Sequence, residues 1–280
     1  MIAYPAMLDV PRALIQKVTT LLRAERRTRG TRTGSRALTC WYQAVLVLAW
    51  FRNQGDIALV GAGFGVSRAT AYRYRDEVID VLAAQAPDLH EALARVAADG
   101  WSHVIIDGKV FRTDRSAETT ESVKGDTINA WYSGKHRAPG ANVQALLRPD
   151  GFPMWTSDQM PGHHHDLSCA RATGMLGAAY WSASQLDLPT LADSGYDGTG
   201  QGVHTPIKQP GTGQVLAPDH QAYNTLLRST RGLGERGFAL LAGRWKALRR
   251  ITASPRRVGD YVKAALALTH IEHLHLRASC

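Results

Sequence analysis

A change of periodicity near Gly100 constrains this chain more than any other feature. Before it, apolar residues recur at spacings of three and four, as they do on the buried faces of helices. After it, short β-rich runs appear at residues 103–106, 142–147 and 152–156. The second and third runs flank Pro149-Asp150-Gly151, a good hairpin turn. The expected organisation is a basic N-terminal segment over 1–34, an all-α domain over 35–99, and an α/β domain over 100–280. The last of these returns to helix after Pro255.

The chain has 280 residues, enough for one large domain or two modest ones. A formal net charge of +9 favours a polyanionic partner, and nucleic acid is the usual one. No run approaches the roughly 18 to 20 apolar residues of a membrane span, so no membrane partner is expected. The longest, over 44–51, is far too short. The N-terminus lacks the basic start and apolar core of a secretion signal. Cys40, Cys169 and Cys280 are scattered and odd in number, which suggests neither a disulfide framework nor a zinc pair. The expected location is the cytoplasm, with the nucleoid.

Residues 56–82 read as two helices joined by a turn. The first runs over 57–64, Gly65 suits the left-handed residue that ends it, and Ser67 is a natural N-cap for the second. In the second helix Ala71, Tyr74, Val78 and Leu82 share a face, while Arg68, Tyr72, Arg73 and Asp76 lie opposite. This resembles the helix-turn-helix of DNA-binding proteins, whose second helix enters the major groove N-terminus first. On that reading Arg68, Tyr72 and Arg73 face DNA, and arginine suits guanine edges and phosphate oxygens. A plain helical hairpin with a solvated basic face is the alternative.

Three acidic residues suggest a metal centre. The run 103–106 ends in Asp107-Gly108, and the run 188–192 ends in Asp193-Ser194-Gly195. Both carboxylates are thus expected at strand C-terminal ends. If the strands are parallel neighbours, about 4.8 Å apart, the carboxylates come within reach of shared ions. Glu235 lies three residues before Phe238, which begins an apolar stripe with Leu241, Ala242, Trp245 and Leu248, so it is expected to point to the same side. Two aspartates and a glutamate are hard oxygen ligands suited to Mg²⁺ or Mn²⁺. Two such ions clamp a phosphodiester. Singly, each acid also fits a turn, a cap or a first-turn helix position. Together, the order strand-Asp, strand-Asp, helix-Glu favours a metal site. Strand, strand, turn, strand, helix (about 167–180), strand, helix is the ribonuclease H pattern, with a crossover returning parallel to the first strand.

The stretches IIDGKVFRTDR, YSGKHRAPGANVQALLRPDGFPMWTSDQMPGHHHDL, LADSGYDG and ERGFALLAGRWKAL resemble the DDE superfamily endonucleases, the insertion-sequence and Harbinger-like DDE transposases. The closing ITASPRRVGDYVKAALALTHIEHL is similar to that family's C-terminal helix. The resemblance implies a ribonuclease H-like mixed sheet flanked by helices, behind a helix-turn-helix domain. It puts the catalytic, metal-binding acids at Asp107, Asp193 and Glu235. It further implies Mg²⁺ or Mn²⁺ as a pair of ions, double-stranded DNA as partner through terminal inverted repeats and target, and a homo-oligomer on DNA. Some relatives carry Tyr, Arg, Glu and Lys at fixed spacing. Here Arg231 fits, but position 228 is Arg and position 242 is Ala. Lys246 is the candidate basic residue for holding a DNA end.

His163, His164 and His165 precede Asp166, read as the N-cap of the next helix rather than as part of a zinc site. His270, His273 and His275 read as helix surface. Lys135, His136 and Arg137 fit phosphate contacts or a solvated loop equally, and Tyr196 and Trp131 read as core. A catalytically inactive DNA-binding protein, or a helix-turn-helix regulator, is the rival to a transposase.

Overall fold

The computed structural model describes residues 8–114, 116–122, 124–211 and 214–278. Residues 1–7, Cys280 and the side chain of His275 lie outside this description. In chain order the elements are α1 (Arg12–Thr28), α2 (Cys40–Asn53), α3 (Ile57–Gly63), α4 (Arg68–Ala83), α5 (Leu89–Ala98), β1 (Val104–Arg112), β2 (Thr119–Glu121), β3 (Thr127–Asn129), β4 (Tyr132–Ser133), β5 (Ala138–Leu147), β6 (Pro153–Thr156), β7 (Met160–Pro161), α6 (Asp166–Ala172), α7 (Met175–Gln185), β8 (Thr190–Leu191), β9 (Val203–His204), α8 (Pro218–Arg231), α9 (Glu235–Arg244) and α10 (Val258–Ala278). They form two compact units, Met1–Ala86 with Leu241–Arg250 and Asp260–Cys280, and Pro87–Leu240 with Ile251–Gly259. These limits differ from the sequence reading of 1–34, 35–99 and 100–280, because the C-terminal helix packs with the N-terminal ones.

The first unit is helical. Gly65, at φ +70°, turns the chain between α3 and α4, and the Ser67 hydroxyl caps α4 by accepting from the Thr70 N–H. Gly61 lets the two helices cross closely, since a Cβ there would lie 2.5 Å from Ala71 Cβ. Ala71, Tyr74, Val78 and Leu82 are buried, and Arg68 and Arg73 are exposed. Arg75 is a surprise, an arginine that is almost fully buried. It pairs with Asp76 at 2.7 Å, and its guanidinium lies over Tyr72, Trp50 and Tyr261. Such stacking keeps a delocalised cation satisfied away from water.

The second unit is built on a mixed sheet with strand order β4-β5-β1-β8-β9, and β6 and β7 also pair with β5. The hairpin between β5 and β6 closes where expected, with Gly151 at φ +83° and the Asp150 carboxylate accepting from the Phe152 N–H. β1 and β5 are antiparallel, as are β5 and β6, while β8 lies parallel to β1. This mixed sheet flanked by helices is consistent with the expected ribonuclease H-like pattern. The helical crossover is two helices rather than one, broken at Gly174, which sits at φ +73°. The short strands β2, β3, β4 and β7 carry too little periodicity to be seen in the sequence.

Alternation along β1 sorts its side chains between two faces. Val104 and Ile106 enter a core with Leu93, Leu146, Met154 and Leu188. On the other face, a Cβ at Gly234 would lie 2.7 Å from Ile105 Cγ2, and one at Gly237 would lie 2.4 Å from Leu147. Further along, Phe111 packs edge-on to Phe238 with ring centroids 5.7 Å apart. The glycines therefore let the start of α9 lie directly on the sheet. Gly234→Val is expected to lower stability by about 1–3 kcal/mol through overpacking against Ile105, read as a drop in the urea midpoint of unfolding.

Candidate active site

β1 does not end at Asp107-Gly108 as its sequence suggests. It runs on to Arg112, paired throughout with β5, whereas its parallel neighbour β8 pairs only at Val104 and Ile105 and ends at Leu191. Asp107 thus sits mid-strand, just past the point where β1 loses its second partner. Asp193 follows two residues after β8. The two aspartates come together because one strand outruns the other, rather than because both end.

Each carboxylate is held by local backbone. An Asp107 oxygen accepts from the Gly108 N–H at 3.0 Å. Asp193 caps a single 3₁₀ turn by accepting from the Gly195 N–H at 2.8 Å. Burial, and then the negative charge of Asp193, push the Asp107 carboxyl up to about 6, with Asp166 adding to the rise and Arg231 opposing it. Three carboxylates and one guanidinium therefore share this corner of the second unit.

The sequence marks Asp166 as a helix cap, and the structure differs. The N-cap of α6 is His165, and Asp166 is the first helical residue with its side chain free of that duty. Its carboxylate accepts from Asn142 Nδ2 at 2.8 Å. Behind it, Gln144 donates to Asn142 Oδ1 at 2.8 Å, and the buried Tyr196 hydroxyl donates to Gln144 Oε1. Burial and the nearby carboxylates hold the Tyr196 hydroxyl well above the ordinary phenol range, so it stays a donor. The one hint in the sequence is weak: position 169, where a capping box would place Glu or Gln, is Cys. That Cys169 is buried, and its thiol is pushed up to about 12, first by burial and then by Asp166, which makes it inert.

Glu235 opens α9, and its side chain is exposed rather than turned to the core as the stripe suggests. The reason is that Gly234, Gly237 and Phe238 take the sheet-facing positions. The first turn of α9 nevertheless runs past Asp107, because Gly234 lies on Ile105 and Phe238 on Phe111. Among the described residues, no three His, Cys, Asp or Glu side chains already stand in ligand geometry around one point. Asp107, Asp193 and Asp166 are close enough to repel but not closed. Such a set of hard oxygens fits a divalent ion, which would offset that repulsion.

A cleft of about 580 Å³ opens beside Asp166, and neither Asp107 nor Asp193 lines it. Gly108, Asp166 and Gly195 line its acidic side, and Lys135, His136 and His164 line another. His163 Nδ1 lies 2.7 Å from the Ala130 carbonyl, and its ring is tilted 35° against that of His164, with centroids 4.0 Å apart. Burial, then the neighbouring histidines, holds His164 below its usual range. Arg68, Tyr72, Arg73 and Lys246 belong to the first unit. Arg68 and Arg73 are exposed, Tyr72 lies under the guanidiniums of Arg68 and Arg75, and Lys246 is half-buried on a 3₁₀ turn.

Acidic residues thus gather where parallel and antiparallel strands of the mixed sheet meet. Residues 106–270 match the family of DDE superfamily endonucleases, more than half of the chain, and the chain belongs to that family. Membership implies DNA as substrate and a divalent metal. No curated protein and no solved structure matches. Among the described residues, no helix is long and apolar enough to cross a membrane.

The raised Asp107 carboxyl has a consequence for stability. Its value of about 6 in the fold, against an ordinary 3.8, means that folding is unpenalised below about pH 4. As pH rises to 6 the unfolded chain releases its proton first, and roughly 3 kcal/mol is lost. In unfolding experiments on metal-free protein, Asp107→Asn is expected to be more stable than wild type above pH 6. The difference should shrink toward pH 4.

Proposed function

We propose that this protein is a transposase that binds the ends of its own element and carries out metal-dependent DNA cleavage and strand transfer. The observation that carries this reading is the pairing of Asp107 and Asp193 at the end of β8, within a chain of the DDE superfamily endonucleases. Asp107, Asp193 and Glu235 are the proposed catalytic ligands of Mg²⁺ or Mn²⁺, as a pair of ions. When bound, such ions activate a water or 3′-hydroxyl and stabilise the leaving oxygen.

The chain's own residues prepare that chemistry. The Gly108 and Gly195 N–H groups aim the two aspartates, and Arg231 supplies positive charge beside Asp107. Glu235 stands on the turn of α9 that passes Asp107, with its side chain open to solvent. Lys135 and His136, on the cleft wall, are placed to meet phosphate oxygens. The α3–α4 pair is proposed as a helix-turn-helix, with Arg68, Tyr72 and Arg73 facing double-stranded DNA and Lys246 holding a DNA end. Assembly as a homo-oligomer on paired inverted repeats and target completes the proposal.

With Mg²⁺ or Mn²⁺, the purified chain is expected to nick DNA bearing its element's flanking inverted repeats. Asp107→Asn, Asp193→Asn and Glu235→Gln should each slow nicking on the order of 10²-fold or more, while leaving DNA binding intact. A wild-type protein that binds the repeats but never cuts would support the rival, a DNA-binding protein without catalysis. Arg68→Ala and Arg73→Ala should weaken binding and flatten its salt dependence, by about 0.9 in log–log slope for each phosphate no longer neutralised.

A further inference from the structure

Asp166 is the carboxylate that the DDE pattern leaves without a task. It belongs to α6, on the face of the sheet opposite Asp107, and its approach is built into the strand it crosses. A Cβ at Gly108 would lie 2.4 Å from Asp166 Oδ1 and 2.6 Å from Gln144 Nε2. Only glycine at that position of β1 admits the carboxylate. At the next loop, a Cβ at Gly195 would lie 2.9 Å from Asp193 Oδ1 and 3.6 Å from Asp166 Oδ2, so the two aspartates flank one spot.

The two oxygens of Asp166 are not equivalent. Oδ1 is fixed by Asn142, itself fixed by Gln144 and Tyr196. Oδ2 faces the Asp193 side. Among the described residues it makes no hydrogen bond, and its ion pair is with Lys135 Nζ at 3.7 Å, on a side chain 73% exposed. The Asp166 side chain itself is only 14% exposed. A carboxylate held this firmly in partial burial, beside two others, costs folding energy unless a cation joins it. A mobile surface ammonium is a weak occupant that a divalent ion displaces. The 580 Å³ cleft, lined by Gly108, Asp166 and Gly195, gives that ion and a phosphate-bearing strand their way in.

We propose that Asp166 is a further acidic ligand of the metal centre, joining Asp107 and Asp193 through the gap left at Gly108. This rests on the reading of Asp107 and Asp193 as metal ligands. The site is then served from both faces of the sheet, with Asp166 below and the α9 turn above.

The test is Mn²⁺ binding to the full-length protein without DNA, followed by the electron paramagnetic resonance signal of free Mn²⁺, alongside melting of the metal-free protein. Asp166→Asn, which still accepts from Asn142, is expected to weaken Mn²⁺ binding at least tenfold without lowering the metal-free Tm. Gly108→Ala, which removes no carboxylate but sets a Cβ against Asp166 Oδ1, should also weaken it. Binding within twofold of wild type for Asp166→Asn, with a lowered metal-free Tm, would show a purely structural helix acid and overturn the proposal. If Asp166→Asn does not fold, unchanged binding by Gly108→Ala overturns it instead. Asp107→Asn separates the two readings. If it weakens Mn²⁺ binding and Asp166→Asn does not, only the assignment of Asp166 falls. If Asp107→Asn also binds normally, the metal centre itself is misplaced and both fall.

Discussion

Eight consecutive residue pairs, from Ile105 opposite Leu147 to Arg112 opposite Gly140, lock β1 to β5 and decide which side chain stands on which face of the sheet. A slip of one residue would carry Asp107 to the face that holds the hydrophobic core and turn Ile106 outward. Because the ladder continues after β8 has ended, Asp107 is firmly placed by one strand while no strand pairs with its other side. A difference in strand length thus sets Asp107 against β5 on one side and the loop that carries Asp193 on the other.

The electrostatics follow from that placement. Asp107, Asp193 and Asp166 are gathered from a strand, a loop and a helix N-terminus, and Arg231 and the Gly108 N–H oppose them at Asp107. The protein holds like charges together by covalent and hydrogen-bonded constraint, at a cost met by the core on the far face of β1. Gly234 and Gly237 extend the same logic, since the helix carrying Glu235 comes close only because no side chain intervenes.

Much of this is legible in the sequence because it is local. The β5–β6 hairpin is marked by Pro149-Asp150-Gly151, the N-cap of α4 by Ser67, and the two aspartates by the apolar runs before them. The order of elements then points to the sheet topology. What cannot be read depends on long-range register. Asp107-Gly108 looks like a turn because Gly breaks the apolar run, yet the ladder with β5 carries the strand through it. Asp166 looks like a cap because caps and first-turn acids share a composition, and only the fold brings Asn142, 24 positions earlier, to its carboxylate. Glu235 looks inward-facing from its spacing to Phe238, but glycines on either side take the inner positions. The buried Arg75 is hidden for the same reason, since its aromatic neighbours Trp50 and Tyr261 are remote in sequence.

The polar relay from Tyr196 to Asp166 has a direction, and that direction limits how the interior can drift. Each amide offers an oxygen to one neighbour and its hydrogens to the next, so Gln144 and Asn142 cannot rotate end for end without setting oxygen against oxygen. Replacing either by its acidic counterpart preserves shape but removes the donor, leaving a buried carboxylate facing another acceptor. The neighbourhood is therefore closed to the commonest near-isosteric exchanges, and its composition is dictated from the phenol outward, one hydrogen at a time.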